Sequence, residues 1–264
     1  MTLNWKAGAR IKMLPSFIQP LAVLVRNFLV VTGTKQILDE RSKYRIEVHK
    51  KLALGVDYVF SADVKGDIAE FGTMTGATAA TIAREMALAS ARYFRSDSQA
   101  KERRLFLFDS FEGLPEAVSP VDAQAPHVKS GIWSAGTCKG ISKEHLARRC
   151  TRFLPKDRVV IYDGWFKDML PRLPTDASFA MLHIDCDLYQ STIEVLDYCF
   201  SEEIIQDGAA FFFDDWNSNR ASPEFGERKA WAEAIGKYSI KYSDSGEYGS
   251  SGRKFIVHEY RHGK

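Results

Sequence analysis

Four aspartates hold the densest chemistry in this 264-residue chain. They stand in Ile184-Asp185-Cys186-Asp187-Leu188-Tyr189-Gln190-Ser191-Thr192 and in Phe213-Asp214-Asp215-Trp216-Asn217, each directly behind a short apolar run. If those runs are neighbouring parallel strands, their tips end on the same edge of the sheet and the carboxylates converge at the ligand face. Carboxylates within a few ångströms repel one another unless a cation or protons neutralise them. Oxygen donors of this kind suit Mg²⁺ or a similar hard ion, which keeps waters or takes a substrate hydroxyl. The competing role for an aspartate at a strand tip is helix capping. Ser191 with Glu194 offers the next helix an S-x-x-E capping box, which leaves Asp185 free for other work.

Upstream, Glu70-Phe71-Gly72-Thr73-Met74-Thr75-Gly76 follows a strand-like run and precedes a helical one. Gly72 and Gly76 let the chain turn tightly and approach a ligand closely. The spacing is not the GxGxxG of dinucleotide binding, which speaks against an oxidoreductase. The next strand-like run ends in Asp109-Ser110-Phe111-Glu112-Gly113-Leu114-Pro115, where Asp109 is placed to accept hydrogen bonds from a ribose diol and Glu112 reads as a solvated turn residue. A third ends in Asp163-Gly164-Trp165-Phe166: Asp163 is a candidate acceptor for an adenine amino group, Gly164 permits close approach to the ring, and Trp165 and Phe166 read as packing. His145 and His183 are further candidate bases. His183 lies two residues before Asp185 on the same strand face, where a core role is the default.

The elements that must position these residues alternate regularly. Ile68–Phe71, Leu105–Phe108, Val159–Tyr162, Phe179–Ile184 and Ala209–Phe213 are continuous apolar runs, as expected of strands covered on both faces. Helical patterns occupy Ala77–Tyr93, Lys143–Phe153, Ser191–Ile205 and Pro223–Ile235. The alternation predicts an α/β, Rossmann-like doubly wound sheet, mostly parallel. A strand pair over Tyr238–Tyr242 and Lys254–Tyr260 predicts an antiparallel finish. Residues 113–140 form a long insertion punctuated by Pro and Gly, read as a lid with His127, Lys129 and Trp133 as a sugar-stacking surface.

Composition bounds the rest. Lys plus Arg is 36 against 34 Asp plus Glu, a net charge of +2, so the concentrated basic field of a nucleic-acid binder is not expected. Cys138, Cys150, Cys186 and Cys199 form no CxxC pair and predict free thiols in a reducing compartment. The apolar stretch Leu14–Val31 is broken by Pro15, Gln19, Pro20, Arg26 and Asn27, too short for a stable membrane span and without a cleavage site behind it. Residues 1–60 are therefore expected to form a helical arm, packed on its own domain or on a second copy as a homo-oligomer, with residues 61–264 the catalytic domain and a cytoplasmic location. Lying on a membrane surface is the lesser reading of the arm.

Together, Glu70-x-Gly72-x-x-x-Gly76, Asp109-Ser110-Phe111-Glu112-Gly113-Leu114-Pro115, Gly164-Trp165-Phe166, Asp185-x-Asp187-Leu188-Tyr189-x-Ser191-Thr192 and Asp214-Asp215-Trp216 resemble the macrocin O-methyltransferase (TylF/MycF) family, in order over residues 55–260. The chain departs from the family at Thr73-Met74-Thr75-Gly76-Ala77, where a bulkier turn is usual. The resemblance implies Mg²⁺-assisted transfer of a methyl group from S-adenosylmethionine to a sugar hydroxyl of a glycosylated natural product or glycan. It places Asp185, Asp214 and Asp215 on the metal, with Asp185 also the candidate base. It places Glu70, Gly72, Thr73, Gly76, Asp109, Ser110, Asp163, Gly164 and Asp185 around the cofactor. A catechol or phenolic acceptor is the alternative within enzymes, and a non-catalytic nucleoside-binding partner protein the alternative outside them.

Overall fold

Five of the apolar runs become the parallel strands of a seven-stranded sheet, in a computed structural model that describes residues 46–93 and 103–261. The strands are β1 (Asp67–Phe71), β2 (Leu105–Asp109), β3 (Val159–Asp163), β4 (Phe179–Ile184), β5 (Ile205–Phe213), β6 (Lys241–Tyr248) and β7 (Gly252–Glu259). Their order is β3-β2-β1-β4-β5-β7-β6. Strands β1 to β5 pair in parallel, and β7 runs antiparallel to both β5 and β6. The expected doubly wound sheet with an antiparallel finish is therefore present. The arm expected over residues 1–60 falls outside the described residues as far as residue 45.

Alternation along the strands separates two faces. Phe71, Phe108, Ile184, Phe211 and Phe213 belong to a core shared with Leu196, Phe200 and Trp231 of the helices Tyr189–Ser201 and Gly226–Tyr238. Each fully buried Phe contributes about 2–3 kcal/mol of transfer free energy. The opposite face carries Phe212 and Met181 against a helix over residues 46–61. A Cβ at Gly55 would stand 2.5 Å from the Phe212 ring, so only glycine lets this helix approach so closely. From Glu47 onward this helix belongs to the same compact unit as the sheet.

Several boundaries differ from the sequence expectation, for physical reasons. The helix expected from Ser191 begins at Tyr189, and its N-cap, Leu188, has no side-chain acceptor. The capping box is not formed. Instead Asp122, from the insertion, accepts the N–H groups of Tyr189 at 2.8 Å and Gln190 at 3.0 Å. The same helix ends at Ser201, because the chain from Ile205 is already pairing in β5. The last helix runs through Tyr238 to a left-handed Ser239, which moves the start of β6 to Lys241.

The insertion is docked rather than loose. Short helical turns at Pro120–Gln124 and Pro126–Lys129 sit inside it. Leu114 and Thr137 pair through a backbone bond of 2.8 Å, and Ile141 N–H donates to Met74 O at 2.9 Å. The four cysteines are free, as expected. Among the described residues no helix is long and apolar enough to cross a membrane.

Candidate active site

The tips of β1, β3, β4 and β5 extend the strand ladder by one more bond each. Gly72 N–H donates to Phe108 O at 2.9 Å, Gly164 N–H to Asp109 O at 3.0 Å, Asp185 N–H to Phe71 O at 2.9 Å and Asp214 N–H to Ile184 O at 3.0 Å. These bonds bring the sequence-distant motifs to one level at the C-terminal edge of the sheet. Above them opens a cavity of about 610 Å³. Gly72, Asp109, Ser110, Gly164, Asp185, Asp214 and Asp215 all line it, together with Asp187. From the insertion, Gly113 to Glu116, Val118 and Cys138 complete the wall.

Gly72 has φ +84, and a Cβ there would lie 2.1 Å from Asp185 O. The glycine is what lets the tips of β1 and β4 close on each other. Asp109 Oδ2 accepts the Thr73 N–H and hydroxyl at 2.8 Å each and the Met74 N–H at 3.1 Å, while Oδ1 accepts the Phe111 N–H at 2.7 Å. Asp109 thus first fixes the glycine turn. A carboxylate offers about four lone-pair sites, so Oδ1 retains acceptor capacity.

Four of the expected cofactor residues do not line the cavity. Thr73 is buried beneath the turn through its bonds to Asp109. Gly76 is the N-cap of the helix Ala77–Arg92 and lies against Leu146 and Ile141. Asp163 is exposed, 3.6 Å from Lys143 Nζ. Glu70 is fully buried and contacts His183 Nδ1 at 2.8 Å. In the insertion, Trp133 is buried and stacks on His127 at 4.6 Å, and His127 bonds Asn219, so these two pack inward rather than onto the cavity wall. Lys129 is bonded to Gln124. The cavity's aromatic surface comes instead from Trp165 and Phe166, which the sequence suggested as packing.

The acidic cluster is electrostatically frustrated. Burial first, then the charges of Asp214 and Asp215, push the Asp185 carboxyl well above the usual range. Burial and Asp215 do the same to Asp187. Asp215 is pushed up to about 6 by burial and Asp214. Glu227 is a fifth member that sequence reading missed. It is 1% exposed, accepts the Asp215 N–H through Oε2 at 2.9 Å, and is pushed well up by burial and by Asp215. Its position on the first turn of a helix forty residues from Asp187 leaves no local signal to find it by. Such a cluster takes up protons or a cation. The donor set is hard oxygen throughout, which suits Mg²⁺ in kind. Among the described residues, however, no three His, Cys, Asp or Glu side chains converge as a ready metal-binding group.

His183 lies behind this cluster, fully buried between Glu70 and Asp214. Burial works against its charged form, but the contacts with Asp214 and Glu70 prevail and push it up to about 10. It does not line the cavity, so it is not placed to take a proton from a substrate there. Desolvation at the cavity edge and the charge of Asp187 raise the exposed Cys138 thiol to about 11, which disfavours its thiolate near neutrality.

The profile of the family described as Macrocin-O-methyltransferase (TylF) matches residues 45–236. The 8-demethyl-8-(2,3-dimethoxy-alpha-L-rhamnosyl)-tetracenomycin-C 4'-O-methyltransferase of Streptomyces olivaceus is 30% identical over 146 residues, 54% of this chain and 50% of that protein. The demethyldecarbamoylnovobiocin O-methyltransferase of Streptomyces niveus is 29% identical over 142 residues, 53% of this chain and 50% of that protein. The chain thus spans about half the length of the curated relatives it matches. Among solved structures, the O-methyltransferase NovP superposes with a TM-score of 0.62 at 24% identity over 81% of each chain. The calicheamicin methyltransferase CalS11 gives 0.55 at 20% identity, over 97% of this chain and 94% of that one. At these identities the two structures speak for the fold alone.

Proposed function

Because the chain belongs to the macrocin O-methyltransferase (TylF) family, we propose that it moves a methyl group from S-adenosylmethionine to a sugar hydroxyl of a glycosylated natural product or glycan, with a divalent ion such as Mg²⁺ held by Asp185, Asp214 and Asp215. The observation that carries the reading is the gathering of Gly72, Asp109 and Gly164 with Asp185, Asp187, Asp214 and Asp215 on the wall of one cavity. The first group offers close backbone approach and a carboxylate for a nucleoside. The second offers hard oxygen donors and a proton acceptor beside it.

A sugar hydroxyl does not ionise at neutral pH. A hard dication among the three aspartates would stabilise negative charge developing on the acceptor oxygen and offset the repulsion that raises Asp185 and Asp215. Asp185, once ionised, would take the hydroxyl proton. S-adenosylmethionine, held by Gly72, Asp109, Ser110 and Gly164, would supply the methyl group, its carbon–sulfur bond breaking as the carbon–oxygen bond forms and a neutral thioether leaving. The remaining work of the chain is positioning and exclusion of water. Trp165 and Phe166 supply an apolar surface for a ring, and insertion residues 113–116 complete the wall.

Calorimetric titration with S-adenosylmethionine, with and without Mg²⁺, tests the cofactor. A mass-shift screen over matched sugar and phenol acceptors tests the substrate class. The expected result is S-adenosylmethionine binding and a gain of one methyl on glycosides. Methylation of phenols alone would replace the sugar assignment. Asp185→Asn with unchanged methyl transfer would overturn the mechanism.

A further inference from the structure

Glu70 and His183 are direct partners in the β1–β4 register, and His183 is the partner of Phe212 in the β4–β5 register. Asp214 lies two residues beyond Phe212, and two residues is one full period along a strand. The three side chains thus share one face of the sheet, Glu70 and His183 level with each other and Asp214 one strand period further on, at the cavity. Glu70 Oε1 contacts His183 Nδ1 at 2.8 Å, and His183 Nε2 faces Asp214 Oδ1 at 3.8 Å. At the second distance the pair is an electrostatic contact rather than a hydrogen bond.

Two features separate this trio from ordinary core filling. His183 Nε2 and Asp214 Oδ1 are both shut off from solvent and lack a hydrogen-bond partner among the described residues, yet they point at each other. Buried polar atoms of this kind are costly to leave unpaired. The Asp214 side chain as a whole keeps 22% exposure and lines the cavity. Its Oδ1 therefore faces the sheet interior, and the remainder of the side chain faces the cavity.

We infer that His183 is a positioning residue of this site: anchored by Glu70, its imidazole orients Asp214 toward the cavity, so that Glu70 serves the acidic cluster and not the cofactor. The inference rests on the proposed function, in which Asp214 helps to hold a divalent ion. Partners that orient a ligating carboxylate change metal affinity or activity by about 10–100-fold when removed.

The two ring nitrogens allow the roles to be separated by substitution. Asn at position 183 retains a polar group near the Nδ1 position, toward Glu70, and loses the reach to Asp214. Gln retains one near the Nε2 position, toward Asp214. Mn²⁺ binding followed by electron paramagnetic resonance, S-adenosylmethionine binding by calorimetry, and kcat and KM are measured on the full chain. His183→Asn is expected to weaken Mn²⁺ binding and lower kcat by about tenfold or more, with S-adenosylmethionine affinity within about twofold. His183→Gln is expected to recover most of both. Equal losses in the two variants would overturn the inference. If neither folds, Glu70→Gln decides: weaker Mn²⁺ binding with unchanged S-adenosylmethionine affinity supports the inference, and the reverse pattern returns Glu70 to the cofactor and overturns it. Wild-type protein that binds neither Mn²⁺ nor S-adenosylmethionine would instead overturn the proposed function itself.

Discussion

Replacing Asp122 by Ala should unfasten the insertion from the helix behind the acidic cluster. Asp122 is fully buried, and its carboxylate accepts the Tyr189 N–H at 2.8 Å, the Gln190 N–H at 3.0 Å and the Ser119 hydroxyl at 2.8 Å. It does for the helix Tyr189–Ser201 what a local N-cap would do, from 67 residues away. An N-cap is worth about 0.5–2 kcal/mol, and a hydrogen bond to a charged group about 1.5–3 kcal/mol. Removing the carboxylate strands two helix-terminal N–H groups, since Leu188 has no side-chain acceptor to replace it. We place the loss at about 3 kcal/mol. For a domain of roughly 200 residues this corresponds to a fall in Tm of about 6–12 °C. Insertion residues 113–116 also line the cavity, so ligand affinity should fall with stability. Thermal denaturation followed by circular dichroism gives the first quantity and calorimetric titration with S-adenosylmethionine the second. Asp122→Asn, which keeps one acceptor oxygen, should lie between wild type and Ala. An Asp122→Ala protein melting within about 2 °C of wild type would refute the cap as the fastening.

Three further outcomes follow from the same geometry. Gly72→Ala forces a side chain into a left-handed conformation and toward Asp185 O, costing about 2–5 kcal/mol from strain and overpacking together; urea denaturation measures it, and a change under 1 kcal/mol would contradict the close approach of the two tips. Asp215, raised from 3.8 to about 6, binds its proton more tightly in the folded state. Its contribution, up to about 3 kcal/mol, is therefore full below about pH 4 and is lost as pH rises through 6; the metal-free Tm difference between pH 5 and pH 7 should shift accordingly in Asp215→Asn, and identical pH profiles would count against it. Glu227→Gln keeps an acceptor for the Asp215 N–H and should retain activity within about threefold, whereas Glu227→Ala should lose about tenfold in kcat, since misplacement near the chemistry is costly; equal rates in the two variants would remove the bond to Asp215 as the reason.

What was legible in the sequence and what was not divide along one physical line. Strands buried on both faces must be continuously apolar, so β4 could be read as Phe179–Ile184 without a neighbour in view. The aspartates at 185, 187, 214 and 215 were legible for the same reason: a parallel sheet delivers the residue after each strand to one edge, whatever its identity. Burial patterns carry no such information about which polar group meets which. Glu70 reads as a cofactor residue until the β1–β4 register sets it beside His183. Asp109 reads as free until Thr73 and Met74 close on it. Ser191 reads as a cap until Asp122 supplies a better-placed oxygen from the insertion. In each case the sequence signalled a polar group with a task, and the task was decided by a partner between 35 and 113 residues away. Those partners also explain why the insertion and the acidic cluster should fail together. Asp122 fixes the helix that follows Asp187, and His127 bonds Asn219 in the loop that follows Asp215. The wall that closes the cavity is thus fastened to both segments that bear its carboxylates, and a change in either fastening should register at the site before it registers in the sheet.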